Sequence, residues 1–277
     1  MMKCDKTLRL YPALLEYDLG EHVRAFSTTR QGGVSVGAYA SFNANLYCGD
    51  DVQHVQQNRE LLCQFLGLPF SHLLMPHQTH HDKVCKIDES FLSLSQSERE
   101  QRLEGIDALM TDLPDVCVSV STADCIPVLL YDDVHHAVAA VHAGWRGTVS
   151  SIVRKTVERM KEVYHTDVND VKAVIGPGIS LDAFEVGDEV YDAFQSAGFP
   201  MMQIAKRYVL SEEKTKWHID LWEANRWELL QSGVPFSHIH LSGICTYSHN
   251  DRFFSARRAG IHSGRILNGI MWTGGVK

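Results

Sequence analysis

Hydrophobic and polar positions along this chain recur with two different periods, and the elements they predict are mixed. Residues 22–29 read as a strand that enters a turn-rich loop, RQGGVSVGAYASFNANLYCGDD, dense in Gly, Asn and Asp. That loop is too long for a simple turn, and long loops in compact domains are often functional. Val52, Val55, Leu62, Phe65 and Leu66 then fall at helical spacing and predict a helix over 51–66, closed by Gly67 and Pro69. Residues 72–76 and 83–87 read as strands around His77-Gln78-Thr79-His80-His81. The stretch 90–105 is polar and charged and predicts a solvated helix or loop insertion. Val116, Val118 and Val120 alternate toward a Thr-Ala-Asp-Cys turn, and 126–131 and 137–142 read as buried strands. After Gly144-Trp145-Arg146-Gly147 comes a helix with Thr148 at its N-cap and Val149, Ile152, Val153, Val157, Met160 and Val163 on one face. Residues 171–175 predict a strand, 188–197 a short helix closed by Gly198, and 220–231 a helix opened by Asp220 and Glu223 as in a capping box. A last strand is expected over 238–245, before the basic string RFFSARRAGIHSGR.

Strands and helices intermix without a β-α-β repeat, and no Pro/Ser linker or internal repeat divides the chain. The pattern predicts an α+β fold, one domain over 1–277 with a large sheet core, which 277 residues are enough to bury. A net charge of −8 speaks against a nucleic-acid binder, whose footprint is usually basic. No apolar run approaches the roughly 18 residues of a membrane span. The N-terminus does not read as a secretory signal. Seven cysteines scattered without a CxxC pair fit a reducing cytoplasm.

Candidate chemistry gathers in Ser121 to Gly147, STADCIPVLLYDDVHHAVAAVHAGWRG, which sets Cys125 and His142 at opposite ends of an apolar stretch. Together with His80 they make one thiolate and two imidazoles. Zinc with three protein ligands keeps a fourth position for water or substrate. Singly, Cys125 reads as a small core residue and His142 as a buried imidazole. What raises the metal reading is that both sit where a buried strand meets a turn, at what can be one sheet edge. Asp124 is a candidate orienter or turn cap; Asp107 and Asp112 read as turn residues. Arg146, just before a helix start, suits a phosphate or another anion. Arg30, Arg257 and Arg258 are further candidates, each of which also reads as a surface ion-pair partner.

The strings TTRQGGVS, HQTH, IDALMTD, TADCIPVLLYD, AVHAGWRGT, IGPGI, CTYS, FFSARR and GR occur in the order seen in the YfiH/laccase-domain family, which the chain resembles from Thr28 to Arg265. The resemblance implies a layered α/β sandwich with mixed sheets, like the catalytic domain of cytotoxic necrotizing factor toxins. It implies a mononuclear metal site, usually taken as zinc, on His80, Cys125 and His142, with Asn43 of the altered SFNANLYCGDD string beside the substrate. The implied activities are phosphorolysis of purine nucleosides and of methylthioadenosine, and adenosine deamination. Three other readings stay open: a Cys-His hydrolase such as a peptidoglycan-precursor editing enzyme, a copper-dependent polyphenol oxidase, and a non-catalytic binding protein. Departures from the family pattern include His81 for a Gly, Ala256 for a Tyr and Ser248 for a Cys; none falls on the three ligands.

Overall fold

A computed structural model describes residues 11–211 and 214–274. Cys4 and the rest of the first ten residues, part of the N-terminal stretch read above for a secretory signal, lie outside the described residues. The chain opens with strands β1 (Leu14–Tyr17) and β2 (Val23–Thr28), antiparallel to each other. Helix α1 (Val52–Leu66) follows the Gly/Asn-rich loop. Asp51 caps it by accepting the Gln53 N–H, and Gly67 ends it in the left-handed region at φ 73°. Strands β3 (Leu73–Leu74) and β4 (Val84–Ile87) flank the His-rich loop.

The expected polar insertion is two short helices, α2 (Glu89–Leu92) and α3 (Gln96–Leu103), the second opened by a Ser95–Glu98 capping box. It is more than a solvated excursion, because Phe91 and Leu103 are buried in the core. Strands β5 (Ala108–Thr111), β6 (Cys117–Thr122), β7 (Ile126–Asp132) and β8 (Ala137–Ala143) are buried at every position. Near-continuous apolar runs are what a strand covered on both faces requires.

The single helix expected after Gly147 is two, α4 (Trp145–Val149) and α5 (Ile152–Tyr164). Ser151 between them is left-handed at φ 58° and breaks the run. Thr148 is therefore not an N-cap; it lies inside α4, and its hydroxyl meets Asn225. Next come β9 (Val171–Ile175), β10 (Glu185–Val186), α6 (Asp188–Ser196), α7 (Met201–Ile204), β11 (Ala205–Ser211), β12 (Lys214–Ile219) and α8 (Leu221–Gln231). Asp220 caps α8 through the Glu223 N–H. Of the strand expected over 238–245 only β13 (Ile239–Leu241) forms, since Gly243 turns the chain at φ 64°. Helix α9 (Ala256–Ala259) and strand β14 (Ile266–Trp272) complete the described chain.

The strands form three sheets, ordered β1-β2-β14-β6-β3, β13-β9-β7-β8-β5-β4 and β10-β12-β11. The first two stack face to face, with Val118, Val120 and Ile270 of one against Leu129, Val138 and Val174 of the other. Outside the first sheet, Leu62 and Leu66 of α1 cover Phe26 and Leu267. Outside the second, Val153, Val157 and Met160 of α5 and Leu229 of α8 cover Val128, Ala139 and Ala173. The result is helix, sheet, sheet, helix: the expected mixed layered sandwich. No helix among the described residues is long and apolar enough to cross a membrane. Cys48, Cys63, Cys85, Cys117, Cys125 and Cys245 are free thiols.

Candidate metal centre

Strand register builds the site. Antiparallel β7 and β8 pair Ile126 with Ala143 and Pro127 with His142, so Cys125, just ahead of β7, lies beside the end of β8. The pairing of β5 with β8 sets Ala108 opposite Val141, which brings Asp107 alongside His142. The loop between β3 and β4 delivers His80. The ligand atoms of His80, Cys125 and His142 all lie within 4.8 Å of one another, the one such cluster found among the described residues. His80 is exposed, Cys125 half-buried and His142 buried. The two imidazole rings meet edge to face at 4.8 Å.

Asp107, read from the sequence as a turn residue, is instead the organiser of this cluster. It is wholly buried. One carboxylate oxygen accepts from His142 Nδ1 at 2.7 Å, and the backbone N–H groups of Thr79, His80 and His81 donate to the pair at 3.3, 3.0 and 2.8 Å. One side chain thus fixes two of the three ligands. Binding Nδ1–H to a carboxylate leaves Nε2 of His142 for the cluster and sets its tautomer, as outer partners of metal-bound histidines do. It also holds His80 in the left-handed conformation, φ 64°, which a non-glycine residue keeps only when its surroundings impose it. Gln78 pins the same loop to β6 through Ser121, donating to its carbonyl at 2.9 Å and accepting its N–H at 2.7 Å.

Asp124 does not orient an imidazole. Its carboxylate accepts from the Thr246 hydroxyl and the Arg257 N–H, both at 2.7 Å, and so ties the Cys125 turn to the C-terminal segment. Two glycines sit tight against the site. A Cβ on Gly178 would meet the Ile126 side chain at 2.3 Å, and one on Gly144 would meet Cys125 Sγ at 3.0 Å and His80 Cδ2 at 3.1 Å.

Burial pushes the Cys125 thiol up, but the charge and hydrogen bonds of His142 and His80 outweigh it and bring its pKa down to about 6. Burial likewise disfavours a charged His142, yet Cys125 and Asp107 raise it to about 9. Burial lifts Asp107 as well, and His142 with the loop N–H groups more than offsets it, holding the carboxyl below its usual range. Without metal the site is a thiolate–imidazolium pair. The thiolate's contribution to stability is present above the ordinary thiol pKa of 9.0 and is lost as pH falls through about 6. The imidazolium's is full below the ordinary 6.5 and is lost as pH rises through about 9. Iodoacetamide should therefore alkylate Cys125 in chelator-stripped protein with a pH midpoint near 6, whereas a midpoint near 9 would deny the ion pair.

The cluster opens into a cleft of about 480 Å³, lined also by Tyr47, Gln78, Phe184, Arg257 and Arg265. Among the anion candidates only Arg257 lines it; its guanidinium donates to the Glu185 carbonyl at 3.0 Å and lies 5.5 Å over Phe184. Arg30 spends its donors on the carbonyls of Ala40 and Asn250. Arg146 is exposed and stacks on Trp145, and Arg258 lies over Tyr247. Asn43 is fully buried and organises the Gly/Asn-rich loop, accepting the Arg265 N–H at 3.1 Å. His238 and His240 do not share a strand face: His238 ends a 3-10 turn, and exposed His240 alone belongs to β13.

A thiolate with two imidazoles is a donor set that suits zinc or copper, and the lowered thiol pKa of Cys125 and the carboxylate on His142 Nδ1 fit such a site. The chain belongs to the family described as multi-copper polyphenol oxidoreductase laccase, whose pattern matches residues 24–273. It is 51% identical to the purine nucleoside phosphorylase of Bacteroides thetaiotaomicron, over 96% of this chain and 97% of that one. It is 45% identical to adenosine deaminase RL5 of an unknown prokaryotic organism, covering 90% and 94% of the two chains. Its fold matches the crystal structure of YlmD from Geobacillus stearothermophilus with a TM-score of 0.86 at 31% identity, over 95% and 97% of the chains.

Proposed function

We propose that this chain is a purine nucleoside phosphorylase that also deaminates adenosine and accepts methylthioadenosine, with zinc on His80, Cys125 and His142. The observation that carries the reading is the convergence of those three ligand atoms on the floor of a cleft whose wall holds two arginines. The names of the relatives supply the substrate class. In phosphorolysis a phosphate oxygen bonds to the anomeric carbon, the glycosidic C–N bond breaks, and the purine leaves with a proton. Arg257 neutralises the phosphate, Arg265 adds positive charge from a guanidinium held by the carbonyls of Ile261, Ser263 and Gly264, and Phe184, Ile179 and Ile261 give the base an apolar wall. Zinc bound at the cluster supplies Lewis-acid chemistry. For deamination, water adds at C6 and ammonia leaves; the HxE and PCxxC signature of the zinc deaminases is absent from the sequence.

Adenosine incubated with and without phosphate separates the outcomes. Adenine appearing only with phosphate and inosine appearing without it is the expected result, and release of neither product would defeat the reading. Arg257→Gln should raise KM for phosphate about tenfold or more, the scale of one charge-assisted contact, while KM for adenosine changes little.

One observation favours a second reading. Cys125, His142 and Asp107 stand in the order of a thiol nucleophile, its base and an orienting carboxylate. A thiol hydrolase built this way needs no metal, and His80 would serve it only by helping to lower the Cys125 pKa.

A further inference from the structure

A second cavity, of about 760 Å³, is large enough for a small organic ligand. Among the described residues Tyr47 alone lines both it and the cleft. Its walls come from α1, the turn at 70–72, β3 and α3. Leu73, Leu74, Met75 and Leu103 are its buried apolar surface, and Val52 and Phe70 stand exposed at its rim.

Arg59 of α1 is set into this surface, half-buried. Its Nη2 donates to the Leu73 carbonyl at 3.2 Å and its guanidinium lies 5.2 Å over the Phe70 ring. Its Nε is buried without a hydrogen-bond partner. It forms no ion pair with a carboxylate among the described residues. Arg99, the other arginine of the cavity, is satisfied by the carbonyls of Ser71, Leu92 and Leu94. Glu100 is exposed and accepts from Gln96. A partly desolvated guanidinium with no counter-charge is costly to keep, and a bound anion offsets the charge part of that cost. Burial accordingly lowers the pKa of Arg59.

We propose that this groove binds a small amphipathic carboxylate, with its acidic head on Arg59 and its apolar chain along Leu73, Leu74, Met75 and Leu103. The head is selected by the charge of the Arg59 guanidinium, which lines the cavity. The tail is selected only by apolar contact, so affinity rises with chain length until the groove is filled.

The test is calorimetric titration of the full chain with octanoate, decanoate and decylamine. Decanoate should bind, octanoate more weakly by roughly fourfold for each methylene lost, and decylamine not at all. Arg59→Met keeps the apolar stem and should weaken decanoate about tenfold or more. Val52→Glu guards against misfolding of that variant. Val52 is 62% exposed at the first position of α1, where a carboxylate is favourable to the helix, and it should oppose the bound head. Equal binding of decylamine and decanoate, or decanoate binding untouched by both substitutions, would overturn the proposal. So would failure of decanoate to bind, including the case in which binding recovers only on dilution as a dimer dissociates, which gives the groove to a second copy of the chain.

Discussion

Replacing His80 with alanine is expected to cost the protein its metal and its phosphorolytic activity while leaving the fold in place. His80 is exposed, and its ring supports no core, so removal of the imidazole opens no cavity. What it removes is one of three donors whose atoms lie within 4.8 Å of one another. Loss of a direct ligand should weaken metal binding by more than the 10–100-fold that outer partners are worth, and kcat/KM should fall to background with it. Metal content after dialysis and the adenosine assay with phosphate check both. The thiol-hydrolase reading expects activity to survive in His80→Ala with only its pH profile shifted upward, because Cys125, His142 and Asp107 remain and His80 contributes only part of the lowering of the thiol pKa. Cys125→Ala does not separate the two, since both need the sulfur.

The second large effect is expected at Asp107. Asp107→Asn keeps the shape but turns one oxygen into a donor. The new amide faces three backbone N–H groups and His142 Nδ1, all of which require an acceptor. Metal affinity should drop about 10–100-fold, the cost of losing a partner behind a ligating histidine. Stability should fall by about 1–3 kcal/mol, the penalty for a buried donor left unpaired. The native carboxyl is held below its usual pKa, so its contribution is present at neutral pH and is lost as acid protonates it. Chemical denaturation at pH 7 and pH 3 should therefore show a gap between the two proteins that shrinks in acid. A gap independent of pH would place the effect elsewhere than in this carboxylate.

Much of this was legible in the residues, for identifiable reasons. Strands β7 and β8 read as buried because IPVLLYD and AVAAVHA are continuous apolar runs, and α1 because Asp51 and Gly67 mark its ends. Strand β14 hid behind the basic tail, with Asn268 and Gly269 at its middle. The structure accounts for that asparagine, which accepts from Ser27 and donates to Thr122 inside the sheet. Strands β11 and β12 belong to a small separate sheet, and polar AKRYVLS and KTKWHI carry no core signal. The break between α4 and α5 was invisible because the apolar spacing runs on through Ser151.

At the site, His80, Cys125 and His142 could be chosen by ligand chemistry and motif. Asp107 could not, because its role depends on the β5–β8 register and on a loop folding back onto it. Its traces were its place directly ahead of a buried strand and in the IDALMTD string, and neither assigns it a role. Arg265 stood in the GR string without a role: Asn43, remote in sequence, fixes its backbone through an N–H bond.

X-ray absorption at the zinc edge of the loaded protein reads the coordination shell itself. It should show about one sulfur near 2.3 Å and two imidazole nitrogens near 2.0–2.1 Å, with a light fourth donor. A first shell of nitrogen and oxygen alone, unchanged when Cys125 is replaced by alanine, would contradict zinc on His80, Cys125 and His142.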